Sequence, residues 1–177
     1  MNKQWSTSPA MKLKPDTAYS AVLHTSFGDI TIDLLRNEAP NTVNNFVFLA
    51  TEGFYDGVPF HRIIKDFMIQ TGDPTGTGSG GPGYRFRDEP VVSEYRAGTV
   101  AMANSGPHTN GSQFFICHTD CRTKLAKSYT IFGRVREGMD VVDRIATAPV
   151  RSSGRGESSV PQEKITISSV DIQVTSE

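Results

Sequence analysis

Cysteine is scarce in this chain: Cys117 and Cys121 are the only two among 177 residues. That is too few for a disulfide scaffold at this size. The run Cys117-His118-Thr119-Asp120-Cys121 lacks two further well-spaced ligands for a metal, and Cys117 reads instead as the end of an apolar strand. An excess of one charge is also missing, with 18 basic and 19 acidic residues and a net charge of -1. The balance gives no electrostatic case for nucleic acid or an anionic membrane surface. No window approaches the roughly 18 apolar residues of a membrane span. Residues 1–14 have no apolar core of a signal peptide, so a reduced, cytoplasmic protein is expected. No Gly-x-Ser-x-Gly elbow occurs, and His24, His61, His108 and His118 are scattered without metal-ligand spacing.

What is present suits one domain with a substantial core, 37% hydrophobic and 21% charged. Residues 1–17, with Pro9, Pro15 and many small polar side chains, read as a loosely held arm before a domain spanning 18–175. Tyr19–His24 and Gly28–Leu35 read as a hairpin, with Ile30, Ile32 and Leu34 alternating against polar residues. Further strands are expected at Pro59–Ile64, Phe67–Gly72, Thr99–Ala103, Gln113–Cys117, Thr130–Val135 and Ile165–Val174. The period changes where Pro40 opens a helix with Val43, Phe46, Val47 and Ala50 on one face, ended by Gly53. A second helix is expected over Gly138–Ala146. Eight strands and two helices suit a closed barrel with capped ends better than a parallel α/β fold. The glycine-rich stretch Thr75–Gly83 is followed by neither Gly-Lys-Ser/Thr nor a helical pattern. It therefore reads as a flexible surface loop and not a phosphate cradle. Ser152–Ser159 reads as a second exposed loop, and Asn110-Gly111-Ser112 as a turn.

The chemically informative residue is Arg62, set inside the apolar run Phe60-His61-Arg62-Ile63-Ile64. A buried guanidinium without a partner is very costly, so the side chain must reach a cleft, an ion pair or a substrate. A structural reading pairs it with Asp66, Asp73 or Glu89. His61, on the opposite strand face, is expected to be a hydrogen-bonded structural histidine. Around Arg62 the sequence offers Phe67, Met68 and Gln70 from one stretch, and Asn104, Gln113 and Phe115 from another. This set holds a cation, carboxamides and large apolar groups, but no acid, no base near neutral pH and no nucleophile. A site built from it acts by binding, orienting and aiming charge.

The blocks Phe60–Tyr84 and Met102–Cys117 resemble the two signature blocks of the cyclophilins, the peptidyl-prolyl cis-trans isomerases. The resemblance runs from Tyr19 to Val174, taking in Ala39–Phe46, Phe132–Ile145 and Lys164–Ile167. It implies a mainly β fold, an eight-stranded antiparallel barrel capped by two α-helices, with the substrate groove on its outer surface. It also implies a cofactor-free, metal-free isomerase acting on X-Pro bonds in peptides and in unfolded or flexible protein segments, and so assisting folding. The family's catalytic arginine falls on Arg62, its proline pocket on Phe67, Met68, Phe115 and Leu125, with Tyr129 where many members have histidine. Gln70, Ala103, Asn104 and Gln113 fall on positions that hold the peptide on either side of the proline. Strand alternation cannot put Phe67, Met68 and Gln70 on one face, so a bulge or twist is expected there.

Two departures stand out. His118–Phe132 is one residue longer than the usual family form, and Lys124 stands where a pocket-side tryptophan donates a hydrogen bond to cyclosporin. Weak cyclosporin binding is expected. Lys65-Asp66 replaces the more usual Pro-Gly turn. The reading from a different class is a proline-peptide binding module with little catalysis. With no heptad pattern, a monomer is the default expectation.

Overall fold

The computed structural model describes residues 3–176. The chain opens with β1 (Thr17–Thr25) and β2 (Gly28–Leu34), a hairpin closed in register from Thr25↔Gly28 to Tyr19↔Leu34. Helix α1 (Pro40–Thr51) follows, then β3 (Val58–Pro59), β4 (Arg62–Ile64), β5 (Met68–Thr71), β6 (Thr99–Met102), β7 (Phe114–Cys117) and β8 (Ile131–Glu137). Helix α2 (Met139–Ala146), β9 (Val150–Ser152), β10 (Ser158–Pro161) and β11 (Thr166–Ser176) complete the order.

Nine strands form one antiparallel sheet in the order β3-β11-β1-β2-β8-β6-β7-β5-β4. Its two edges, β3 and β4, are consecutive in the chain and separated only by Phe60 and His61. That short link keeps the two edges close together and curls the sheet on itself. The expected strand Pro59–Ile64 is thus split, and counting it as one bent strand recovers the expected eight.

Helix α1 starts at Pro40 as expected, but no side chain at its N-cap satisfies the first amide groups. Glu89 does so from a distant loop: Asn41 N–H, Thr42 N–H and Thr42 Oγ1–H donate to its carboxylate at 3.1, 2.7 and 2.7 Å. A negative charge there also suits the helix dipole. From α1, Phe46 projects into an aromatic group with Tyr55, Phe114 and Phe132, at centroid distances of 5.3, 5.5 and 5.5 Å. Val141, Val142 and Ile145 of α2 join the same interior cluster.

The expected exposed loop Ser152–Ser159 is the tip of a separate two-stranded ribbon, β9 with β10. The sequence pattern hid it because both strands are short and largely polar, with only Ser159 fully buried. Toward the N-terminus, the residues read as a loose arm contact α1 and the glycine-rich loop. Trp5 stands edge-on to Phe48 at 4.9 Å, Trp5 N–H donates to Pro82 O at 2.8 Å, and Asn44 joins Lys12 N and Ala10 O.

Candidate active site

Strands β4 and β5 form a hairpin in which Arg62 pairs with Gln70 and Ile64 with Met68. Directly paired residues share a face, so these four side chains point outward from the barrel, while Ile63 and Ile69 enter the interior cluster. The expected bulge is absent, since the β4–β5 register runs unbroken. Phe67 instead occupies the turn, where alternation does not apply, and Phe67 N–H closes it on Ile64 O at 3.1 Å. Asp66 supplies the left-handed corner with φ 61°, a conformation that a glycine would adopt freely and that Asp tolerates.

Strand β7 continues this outer face, Phe115 lying opposite Gln70 and Cys117 opposite Met68. Tyr129 packs edge-on against Phe115 at 5.6 Å. Its backbone is held by the buried Tyr95, whose hydroxyl donates to Tyr129 O at 2.6 Å and accepts from Tyr129 N–H at 3.1 Å. Burial pushes the Tyr95 phenol up to about 12, so it stays a neutral donor. Met68, Phe115, Ala101 and Cys117 thereby form a second apolar cluster outside the barrel, edged by Phe67, Leu125 and Tyr129.

A cleft of about 970 Å³ opens over this cluster. Arg62, Phe67, Met68, Gln70, Ala103, Asn104, Phe115, Leu125 and Tyr129 all line it. Gln113 lines an adjoining cleft of about 810 Å³. Gln70, Ala103 and Asn104 border both. The ten residues singled out in the sequence, drawn from four segments of the chain, are therefore brought together.

A continuous hydrogen-bonded path crosses the floor of these clefts. Arg62 Nη1 donates to Gln70 Oε1 at 3.2 Å, Gln70 Nε2 to Gln113 Oε1 at 3.1 Å, and Gln113 Nε2 to the carbonyls of Gly78 and Gly80 at 2.9 and 3.0 Å. Asn104 Nδ2 donates to Ser128 O at 2.8 Å, while its Oδ1 accepts from Gly106 N–H. Each carboxamide is oriented by both of its ends.

The path ends on the glycine-rich loop, which is wound around Asp73 and not free. This fully buried carboxylate accepts from the backbone N–H groups of Thr75, Thr77, Gly78 and Gly80. A Cβ on Gly80 would lie 2.0 Å from Asp73 Oδ1, so only glycine fits that approach. Burial raises the Asp73 pKa, but the Thr75 hydroxyl and these backbone donors outweigh it and hold the group below its usual value.

None of the acids that the structural reading offered is the partner of Arg62. Asp66 forms the turn, Asp73 holds the loop and Glu89 caps α1. The partner is Glu157, at the tip of the ribbon: Arg62 Nε donates to Oε1 and Nη2 to Oε2, both at 3.0 Å. The hydrogen bond from Arg62, more than burial or charge alone, holds the Glu157 carboxyl below its usual range. Sequence reasoning missed Glu157, which lies 95 positions from Arg62 in a polar loop without periodicity. His61 is also corrected: both ring nitrogens are buried without a hydrogen-bond partner, and burial lowers its pKa.

Lys124 lines the cleft beside Leu125, its ammonium donating to Asp66 O, whereas Trp5 packs against Phe48 and Phe54. No tryptophan lines either cleft. No helix among the described residues is long and apolar enough to cross a membrane, and no group of three or more His, Cys, Asp or Glu among them could hold a metal ion.

Residues 20–172 match the family model described as cyclophilin type peptidyl-prolyl cis-trans isomerase/CLD. The chain is 48% identical over 143 residues to peptidyl-prolyl cis-trans isomerase-like 1 of Neurospora crassa, covering 78% of this chain and 87% of that one. It is 46% identical over 159 residues to peptidylprolyl isomerase domain and WD repeat-containing protein 1 of Mus musculus, covering 87% of this chain but 24% of that longer protein. Among solved structures, a cyclophilin type peptidyl-prolyl cis-trans isomerase of Cryptosporidium parvum superposes with a TM-score of 0.81 at 35% identity, covering 88% of this chain and 98% of that one. The outer-face cleft, the curled antiparallel sheet and these matches lead to one conclusion: the chain belongs to the cyclophilin-type peptidyl-prolyl cis-trans isomerases and is an isomerase of X-Pro bonds.

Proposed function

We propose that Arg62 is the catalytic donor, that Phe67, Met68, Phe115, Leu125 and Tyr129 hold the proline ring, and that Gln70, Ala103, Asn104 and Gln113 grip the flanking peptide. The observation that carries this reading is the join between the Arg62 guanidinium and the open apolar cluster, with Arg62 and Phe115 lining a single cleft.

Rotation about a peptide C–N bond meets a barrier of ~18–20 kcal/mol because resonance gives it double-bond character. In the twisted transition state the nitrogen loses conjugation and becomes pyramidal, with a basic lone pair. A guanidinium beside that nitrogen binds the twisted form better than the planar one, and its charge is permanent. Five decades of acceleration need roughly 7 kcal/mol, whereas one charge-assisted hydrogen bond contributes about 1.5–3 kcal/mol. Arg62 alone is insufficient. The apolar pocket lowers the local dielectric, and the carboxamide path holds one side of the bond while the other turns.

Supporting proline-containing segments as substrates, the Cryptosporidium parvum relative has also been solved in the presence of the dipeptide ala-pro. Folding clients with flexible X-Pro segments, a monomeric state and a reducing cytoplasmic setting belong to the same reading, the last favoured by the unpaired thiols of Cys117 and Cys121. Lys124 in place of an indole donor favours weak cyclosporin binding, and nanomolar affinity by calorimetry would overturn that point.

The decisive experiment is Arg62→Ala in a protease-coupled proline-peptide assay. The fold is retained and kcat/KM falls by about 10- to 150-fold, the equivalent of one charge-assisted hydrogen bond. Near-normal activity would refute the assigned role. Exchange spectroscopy on an Ala-Pro peptide tests the binding-module alternative, which requires binding without accelerated exchange.

A further inference from the structure

The pair between Arg62 and Glu157 has no evident structural purpose. Both side chains are more than one-third exposed, 36% and 37%, and ion pairs at such sites add little to stability. Its geometry is nevertheless the ordered kind, two parallel N–H···O contacts of 3.0 Å, which fix the guanidinium plane as well as its position.

The ribbon that carries Glu157 is built to present it. Gly154 and Gly156, both at φ 82°, turn the chain at the tip. Ser153 N–H donates to Glu157 O at 2.7 Å, and the next strand begins at Ser158, with Ser159 buried at 2% exposure. At the ribbon's other end Gln162 N–H donates to Pro149 O at 2.9 Å. The carboxylate is thus delivered from a fastened strand end and not from a freely moving tail.

Counting donors shows what the pair leaves available. A guanidinium has five N–H groups. Glu157 takes the Nε–H and one on Nη2, and Gln70 takes one on Nη1. One N–H on Nη2 remains free, and the second on Nη1 meets only the thioether of Met68, a weak acceptor, at 4.0 Å. We propose that Glu157 is a positioning residue for isomerisation, anchoring Arg62 by one edge so that the free N–H on Nη2 and the weakly held one on Nη1, beside the cleft-lining Met68, stay aimed into the cleft. The proposal rests on the reading of Arg62 as the catalytic donor. Without Glu157, the 3.2 Å contact to Gln70 and a weak 4.0 Å contact to Met68 Sδ, both from Nη1, are left to orient a long side chain with many rotamers, and misplacement of a catalytic group is felt mainly in turnover. The opposite role, a latch that withholds Arg62 from the substrate, would make removal of Glu157 activating.

The test compares Arg62→Ala, Glu157→Ala, Glu157→Gln and the Arg62→Ala/Glu157→Ala double variant. Turnover is read by exchange spectroscopy at saturating Ala-Pro peptide, peptide Kd by calorimetry, and Tm by thermal unfolding. Expected for Glu157→Ala is a fall in kcat of about tenfold, with Kd and Tm close to the parent. Glu157→Gln, which keeps an acceptor for Nε–H, recovers part of the loss, and Glu157→Ala costs nothing more once Arg62 is gone. Unchanged or raised kcat in Glu157→Ala, or an equal loss in the Arg62→Ala background, overturns the positioning role while leaving that of Arg62 intact. Near-normal activity of Arg62→Ala defeats the reading of Arg62 itself, and the positioning role with it.

Discussion

Strand β7 serves two apolar clusters that differ in what lies beyond them. Phe114 and Ile116 point into the barrel, where Phe46, Phe132 and Tyr55 surround them and both helices contribute side chains. Phe115 and Cys117, one residue away, point outward to Met68, Ala101 and Ile131. The rings at the centre of the interior cluster, Phe46, Tyr55, Phe114 and Phe132, are all buried. The outer one ends at the partly exposed Phe67, Leu125 and Tyr129 and opens on the cleft. The same strands therefore build a completed core and an unfinished one, and apolar area left uncovered on a rigid sheet is what an apolar ring can complete at low ordering cost.

The sharpest way to test that division is to delete neighbouring rings. Phe114→Ala is expected to cost about 3–5 kcal/mol of folding stability in urea unfolding, the range for a large-to-small change in a closed core. Phe115→Ala is expected to be less destabilising but to lower kcat/KM by an amount equivalent to about 1.5–3 kcal/mol of lost apolar contact. Equal destabilisation by both variants, with no separate loss of activity from Phe115→Ala, would erase the distinction between the clusters.

A smaller effect is expected at the polar rim of the outer cluster. Asp73→Asn replaces an acceptor-only carboxylate by an amide that can face the loop's N–H groups with only one oxygen. The buried donors of Gly78, Gly80 or Thr77 then lose their partner, at about 1–3 kcal/mol. Faster hydrogen exchange at Gly78 and Gly80 checks it, and unchanged protection there would mean the loop is held by other contacts. Because the folded pKa of Asp73 is depressed, its contribution is present above the unfolded value and is lost as pH falls through the folded one.

The smallest expected effect belongs to neither cluster and serves as their control. His24 on β1 lies between Asp171 on β11 and Asp29 on β2, at 2.7 and 2.9 Å, and these two carboxylates raise its pKa, Asp171 the more. A raised folded pKa stabilises fully below the unfolded value of about 6.5 and is lost as pH rises through the folded value. Urea midpoints are expected to fall from about pH 6 to about pH 9 slightly more in the parent than in His24→Gln, with activity unchanged by the substitution. A parent and variant with parallel profiles would remove His24 from the account.

Much of the architecture was legible because its signals are local. Alternation in Ile30, Ile32 and Leu34, the Pro40 helix start, the Gly53 stop and the Val141, Val142, Ile145 face all depend on neighbours within one or two turns or pleats. The site was legible in part for a different reason: Arg62 contradicted the burial expected of its own strand. Where both faces of a strand are apolar, as along Phe114–Cys117, alternation disappears and the two clusters cannot be told apart by pattern. The ribbon of β9 and β10 was missed because a short polar hairpin has no hydrophobic period to read.

By itself, the sequence determined the mainly β class, the helix positions and the presence of a cation among apolar and carboxamide groups. Only the tertiary structure decided that Phe67 joins its neighbours from a turn without a bulge. It alone decided which acid meets which base: Glu89 the amides of α1, Asp73 the glycine-rich loop, Glu157 the guanidinium of Arg62. Backbone period is set by steric rules acting over a few residues, whereas a charge pair is set by where the whole chain returns, and residues 95 positions apart have no local rule to connect them.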